Sequence, residues 1–495
     1  MLRWVVGLGL SVCMGWASAT ESLDWLGAPG HQVEELLQEV DQAADLGLDP
    51  AAFNVDQLHK EMSVRQPNSE MDRARFNVLF TEAYERFAQQ RYSGRLDPAS
   101  FASEWIGPRR EDPALMQKAR DAMLNDQVGA FLRSLDPKWG NFAALVKAKQ
   151  QVREWAKQPA WDPMAIGKTL KPGYSGPEIV WLRKRLAATN ELGSAAAEGE
   201  VFDQPLADAL KQFQAKYGLE ADGFFGKTTA RELNASPDWR LKQIDANLER
   251  FRWLPNDWGN RYVMVNVPDF RLNVVENGEP VMQMYVVVGR GERHTPQMHD
   301  FISYVVLNPS WSVPKKIGLS DILMHIADDP GYLKKNNFQV FKREGQKEFL
   351  IDPDEVEWAK VPLASFPYRF KQLSGNHNAL GRVKFMFPNS ESVYLHDTNA
   401  KELFKRQSRN FSSGCVRIER PLDLLDYVFR DDKRWSQDKL HEALAKGEEM
   451  SISLPEKIPV HLVYWTAWVD ATGQLQLRDD LYGRDKLITE KFAEQ

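Results

Sequence analysis

The chain has two cysteines, Cys13 and Cys415. Cys13 falls in an apolar N-terminal stretch that ends in Ala17-Ser18-Ala19, a small-residue cleavage pattern. Removal of that stretch leaves Cys415 alone. A lone cysteine in an exported protein has no intramolecular disulfide partner. Two readings are then open: a reactive thiol, or an inert one buried as a small hydrophobe. The neighbours bear on the choice. Ser412-Ser413-Gly414 precedes Cys415, and small residues let a backbone turn tightly and present N–H groups beside the sulfur. Arg409 and Arg417 bring positive charge, which favours thiolate over thiol where it lies close. His396 follows the strand-like run Val393-Tyr394-Leu395, so it is expected at a strand end. A thiol becomes a nucleophile at neutral pH beside a base or a charged partner, and histidine is the usual one. The offset of 19 positions does not by itself bring His396 to Cys415, and a surface histidine in a loop is the plain alternative.

Other chemistries find less support. There are nine histidines but no H-E-x-x-H, and His294 and His299 lie five apart with no acidic partner in a helical frame. No metal site and no cofactor are expected. A glycosidase pair of carboxylates is a spatial arrangement, and no pair stands out. No G-x-S-x-G frames a serine nucleophile.

The elements that must position these residues follow from periodicity. Residues 1–19 read as a signal peptide, with Arg3 before an apolar stretch too short for a membrane span. A lipidated Cys13 would need a small residue where Val12 stands. A periplasmic location is expected, with no transmembrane segment after cleavage. With 495 residues, more than one domain is expected. Net charge is −6 and no Lys/Arg block occurs, which argues against nucleic-acid or membrane-surface binding.

Residues 20–165 read as a helical scaffold domain. Val33, Leu36, Leu37, Val40 and Ala44 form one stripe, and Ser69 is a candidate N-cap ahead of Phe76, Leu79, Phe80 and Phe87. Residues 166–236 form a compact unit. Ile179, Leu182 and Leu186 mark one helix, and Leu206, Leu210, Phe213 and Tyr217 a second. A turn at Asp222-Gly223 then leads to a short helix that Thr228 could cap. Residues 237–260 give a helix over 238–252 and a loop. From Arg261 the period becomes two, which announces a mostly antiparallel β-domain over 261–455. Residues 318–380 interrupt it. They are expected to form a mobile helical lid over Cys415, with a rigid decoration as the alternative. The strand pattern returns at Gly381–Phe387, and Pro421 opens a helix. Residues 456–495 read as a strand pair and tail. The continuous apolar run Leu462–Trp465 leaves the buried face of that pair unassigned. The fold class expected is multidomain α+β.

His396, the spacer and Ser413-Gly414-Cys415-Val416-Arg417 resemble the active-site signature of the L,D-transpeptidase (YkuD-type) catalytic domain. Many members carry a second histidine just before the glycine. Ser413 stands there in this chain, as in the large periplasmic subgroup resembling the enterobacterial enzyme YcbB. Asn308-Pro309-Ser310-Trp311-Ser312-Val313-Pro314, Tyr464–Trp468 and Tyr482-Gly483-Arg484-Asp485 extend the resemblance over nearly the whole mature chain. Residues 166–236, with D-G-x-x-G-x-x-T at Asp222–Thr229, resemble the small three-helix peptidoglycan-binding domain. Those residues look structural, and whether this copy binds glycan is open.

The resemblance implies a fold, a reaction and roles. Cys415 is the nucleophile and His396 the acid/base. The Asp397 carbonyl orients His396, and N–H groups at Gly414 and Cys415 form an oxyanion hole. Tyr394, Ser413, Arg417, Trp311 and Arg409 are pocket residues. The arginines suit stem carboxylates, and pairing of Arg417 with Glu419 or Asp423 is the structural alternative. The implied reaction is acyl transfer between peptidoglycan stem peptides through a cysteine thioester, giving 3→3 cross-links in cell-wall biogenesis and cell shape. Other cell-wall synthesis proteins are candidate partners. Carboxypeptidase and lipoprotein-anchoring members share the signature, and a non-catalytic wall-binding scaffold is the alternative of a different class.

Overall fold

The computed structural model describes residues 22–63, 69–100, 105–139, 141–158 and 161–495. The expected signal segment, with Cys13, lies outside the described residues. The chain divides into one unit of residues 1–44, 48–92 and 112–136, and a second of residues 45–47, 93–111 and 137–495. No described helix is long and apolar enough to cross a membrane.

The first unit is helical: α1 (Gly30–Asp41), α2 (Val55–Ser63), α3 (Glu70–Ser93), α4 (Leu115–Leu124) and α5 (Val128–Ser134). The stripe predicted for α1 is the buried one, with Val33, Leu36, Leu37 and Val40 inside. Ser69 accepts the Asp72 N–H at 3.1 Å ahead of α3, the cap its position suggests. Buried Arg91 ties α3 to Glu39 of α1 at 2.5 Å and to Asp136 at 2.7 Å.

The second unit contains α6 (Phe142–Ala156), α7 (Pro177–Ala188), α8 (Gln204–Lys216), α9 (Lys227–Asn234) and α10 (Pro237–Trp253). Although α6 lies in the stretch expected to be scaffold, it packs along α10. Helices α7 to α9 make the small three-helix body. Asp203 caps α8 by accepting the Leu206 N–H at 3.1 Å. Gly223, at φ +72°, donates to Gln214 Oε1 at 2.8 Å, so this part of the Asp222–Thr229 segment is structural. Thr228 is not the cap of α9. Extended Gly226 makes the entry, with no side-chain cap, and Thr228 lies inside the first turn.

A nine-stranded sheet builds the domain that carries Cys415. Its strands are β1 (Arg261–Asn266), β2 (Arg271–Glu276), β3 (Glu279–Gly289), β4 (Met298–Leu307), β9 (Val383–Met386), β10 (Leu395–His396), β11 (Asn410–Ser412), β12 (Val416–Ile418) and β13 (Met450–Val463). The order is β11-β3-β12-β10-β9-β4-β13-β1-β2, and β2 also pairs with β3, which closes the sheet on itself. Most ladders are antiparallel; β1–β13, β10–β12 and β11–β3 are parallel. Inward residues such as Val263, Leu272, Val286, Val305, Leu395 and Val416 form the core. The apolar run Leu462–Trp465 is buried throughout, and its first two residues end β13, an interior strand between β4 and β1. The terminal pair is instead β14 (Ala467–Val469) with β15 (Leu475–Leu477).

The insertion is more than helical. Short helical turns at Gly318–Ile322 and Leu323–Asp328 are present, but a second sheet accompanies them. It contains β5 (Trp311–Ser312), β6 (Phe338–Glu344), β7 (Lys347–Ile351) and β8 (Tyr368–Gln372), in the order β5-β8-β6-β7. Phe338 and Val340 alternate inward along β6, and Gly345 at φ +63° turns the chain into β7. The insertion has its own core, including Val313, Ile322, Phe338, Val340 and Phe370.

Candidate active site

Two ladders bring the chemistry together. Parallel pairing sets Leu395 opposite Val416 and His396 opposite Arg417, with the Val416 N–H donating to the Tyr394 carbonyl at 3.1 Å. Cys415, one residue before β12, therefore sits level with Tyr394, beside His396. Antiparallel pairing sets His396 opposite Lys384 of β9. Strand alternation puts Tyr394 and His396 on one face, with Cys415 and Arg417 beside them. The 19-residue spacer is thus spanned by a strand pairing that spacing alone could not show.

The turn at the cysteine is held from both sides. Gly414 has φ +115°, a conformation side chains resist. Thr295 Oγ1 donates to the Gly414 carbonyl at 2.8 Å and accepts the Gly289 N–H at 2.9 Å. Ser412 Oγ donates to the Cys415 carbonyl at 2.5 Å and accepts the Gly414 N–H at 3.1 Å. That last bond departs from the expectation that the Gly414 N–H is free for an oxyanion. Ser392, strained at φ +56°, accepts from the Cys415 thiol at 3.7 Å through its carbonyl.

His396 is buried, and its Nδ1 lies 2.5 Å from the Asp397 carbonyl. A carbonyl only accepts, so Nδ1 carries the proton and Nε2 keeps its lone pair. Burial, then the charges of Arg417, Lys384 and Lys401, push the imidazole down to about 3. Burial pushes the Cys415 thiol up, against the pull of Tyr394, Lys384 and Arg417. Both shifts favour a neutral thiol beside a neutral imidazole.

Cys415, His396, Tyr394, Ser413, Gly414, Arg417 and Trp311 all line one cleft of about 1060 Å³. This is at the upper end of ordinary ligand sites. Asp397 lies behind His396. Its carboxylate accepts the Arg382 N–H at 2.8 Å and pairs with Lys401.

Residues 260–433 match the L,D-transpeptidase catalytic domain family. Over that stretch the chain is similar to L,D-transpeptidase catalytic domains. Residues 19–148 match a scaffold domain family, and residues 175–233 one described as "Putative peptidoglycan binding domain". A Haemophilus influenzae protein named "Putative L,D-transpeptidase" is 33% identical over 260 residues, covering 52% of this chain and 50% of that protein. The chain therefore spans half the length of this relative. Two solved L,D-transpeptidases are also similar. The one from Xylanimonas cellulosilytica is 15% identical with a TM-score of 0.19, covering 61% of this chain and 100% of its own. The one from Stackebrandtia nassauensis is 17% identical with a TM-score of 0.22, covering 61% and 96%.

In this domain, one expected pocket residue lies elsewhere. Arg409 is not among the cleft residues. Its guanidinium stacks over Tyr285 at 3.9 Å, and Nε donates to the Phe404 carbonyl at 3.1 Å. It braces the loop ahead of β11 instead. Arg417 does not make the structural ion pairs weighed for it. Glu419 accepts the Tyr285 N–H, and Asp423 pairs with Arg420 at 3.0 Å. Among the described residues, the buried Arg417 Nε has no acceptor.

Three further cleft residues escaped the sequence reading: Lys384, Arg293 and Asp321. Lys384 alternates with buried Val383 and Phe385, so strand periodicity alone would have turned it towards His396. Arg293 grips Asp321 of the insertion with two bonds of 2.8 Å and donates to Ser413 Oγ at 2.6 Å. That bridge holds the Asp321 carboxyl down at about 2. No local pattern announces it, because its members are 28 and 120 positions apart.

Proposed function

We propose that this protein is an L,D-transpeptidase that forms 3→3 peptidoglycan cross-links through a thioester on Cys415. The observation that carries the reading is the β10–β12 pairing, which sets His396 opposite Arg417, two residues past Cys415, on adjoining strands of one cleft; the Asp397 carbonyl on Nδ1 leaves Nε2 with its lone pair, which supports a role as base. His396 Nε2 takes the Cys415 proton as the sulfur attacks the carbonyl between the L-centre of stem residue three and D-alanine. The Cys415 N–H faces the developing oxyanion, and the Gly414 N–H joins it on leaving Ser412 Oγ. The imidazolium returns its proton to the departing amine, D-alanine leaves, and the stem remains as a thioester. An amine of a second stem attacks, His396 takes its proton, and the thiol is restored. The insertion, tied to Ser413 through Arg293 and Asp321, keeps water from the thioester and favours transfer over hydrolysis. The reading places the protein in the periplasm after export.

The test is mass spectrometry of products from purified disaccharide tetrapeptide, with wild type and Cys415→Ala side by side. A cross-linked dimer lacking one D-alanine, from wild type only, is expected. Disaccharide tripeptide alone would make the enzyme a carboxypeptidase. No Cys415-dependent product from a folded protein would sink the reading.

A further inference from the structure

Two partly buried cations of the cleft, Lys384 and Arg417, make no salt bridge among the described residues. Lys384, His396 and Arg417 stand opposite one another across β9, β10 and β12, so one positive side chain flanks the imidazole on each side. Both cations line the cleft with Cys415. Lys384 Nζ lies 3.8 Å above the Tyr394 ring and is half-buried. Its first charge partner is the Cys415 sulfur itself, and the next is Glu449, whose carboxylate accepts from Ser310 Oγ at 2.6 Å. For Arg417 the order is the same, Cys415 first and then the exposed Glu402. Burial lowers both cations from their ordinary values, so both carry the cost of desolvation without an ion pair. A protein that keeps two such charges beside its nucleophile is set up for an anion that arrives from outside.

We infer that Lys384 is a specificity-determining residue that binds a free carboxylate of the acyl donor beside the Cys415 sulfur, opposite Arg417. The identity of the donor rests on the functional reading above; the anion preference does not. A stem has its carboxylates at the terminus and further back along the peptide, and an ammonium at Lys384 recognises the same chemistry in either. The aromatic face of Tyr394 holds the ammonium by its ring quadrupole and leaves the remaining donors for the ligand.

The first experiment uses reagents that differ only in charge. Iodoacetate carries a carboxylate; iodoacetamide is its neutral counterpart. In each, the Cys415 thiolate forms a bond to the methylene carbon and iodide leaves. The ratio of the two rates cancels the thiolate fraction and reports the attraction for the anion. Rates are read at the Cys415 peptide by mass spectrometry, with circular dichroism as the check on folding. In Lys384→Gln the iodoacetate-to-iodoacetamide ratio should fall about tenfold, the size of one charge-assisted hydrogen bond. Lys384→Arg should keep most of it. An unchanged ratio in folded Lys384→Gln overturns the inference, whatever the enzyme turns over. A lowered ratio in a protein whose wild type gives no muropeptide product supports the anion site and removes only the transpeptidase reading.

The second experiment finds the carboxylate. Donor stems amidated at the terminus, or at the inner carboxylate, are compared with the free acid in wild type and Lys384→Gln. The donor whose amidation abolishes the KM difference between the two proteins identifies the contact. A KM difference that survives both amidations overturns the inference.

Discussion

Buried and half-buried cations occur in two settings in the second unit. In the interior around α10 three of them meet an acid directly. Arg250 meets Asp485 at 2.5 Å, Arg240 meets Glu232 at 2.8 Å, and Lys149 pairs with Asp245. In the cleft, Lys384 and Arg417 make no salt bridge among the described residues. The interior pairs satisfy the rule that a desolvated charge needs a partner for the fold to hold it. The cleft departs from that rule beside the residues proposed for catalysis, where unsatisfied polar groups are expected to serve a ligand rather than the fold. Substitution in the two regions should then separate activity from stability.

The largest effect is expected in the cleft, on the reaction alone. His396→Gln should lower acyl-enzyme formation about 10²- to 10⁴-fold, the usual contribution of a positioned base. The electrostatics add a pH signature. With the imidazole depressed to about 3, His396 is neutral throughout the range above that value. With the thiol raised by burial, its thiolate fraction is still climbing at neutral pH. The alkylation rate of Cys415 should rise about tenfold per unit between pH 6 and 8, as for a thiol below its pKa. A plateau across that range, with a step near the ordinary histidine value, would mean a preformed thiolate–imidazolium pair and sink the neutral-dyad reading.

The next effect belongs to the interior. Arg250→Met leaves Asp485 in place with its main partner gone. The cost expected is about 3–5 kcal/mol, read from denaturant unfolding. Burial already raises the Asp485 carboxyl. A group raised in the folded state contributes stability below its unfolded value and loses it as pH rises through the folded value. Protonation relieves the stranded charge, so the Arg250→Met penalty should be larger at pH 7.5 than at pH 5. In the cleft, Lys384→Met should move stability by no more than about 1 kcal/mol, because no acid is left behind. Equal losses at the two sites would erase the contrast between the regions.

The sequence carried most of the frame and only part of the site. Helix stripes, the change to period two at Arg261 and the Pro421 helix start were legible because each is a local pattern. The sheet within the insertion was not, because short strands such as β5 and β8 pair across more than 50 positions. The same holds for β13, whose apolar run has no alternation when both faces are covered. At the site, His396 and Cys415 were legible by residue type and by resemblance. Lys384 was legible in principle from alternation. The Arg293–Asp321–Ser413 bridge exists only in three dimensions.

Arg409 gives the smallest effect and the sharpest test of placement. The sequence puts it six positions before the cysteine and suggests a pocket charge. The structure turns it away, over the Tyr285 ring and onto the Phe404 and Gln407 carbonyls. Arg409→Gln should therefore leave kcat/KM for the tetrapeptide donor within about twofold, since no charge in the cleft is lost. The lost stacking, about 0.5–1 kcal/mol for a half-exposed cation on a ring, should appear as a small drop in unfolding midpoint. A tenfold rise in KM without loss of stability would return Arg409 to the cleft. The anion site would then have three members, and the Lys384→Gln effect on the alkylation ratio should be correspondingly smaller.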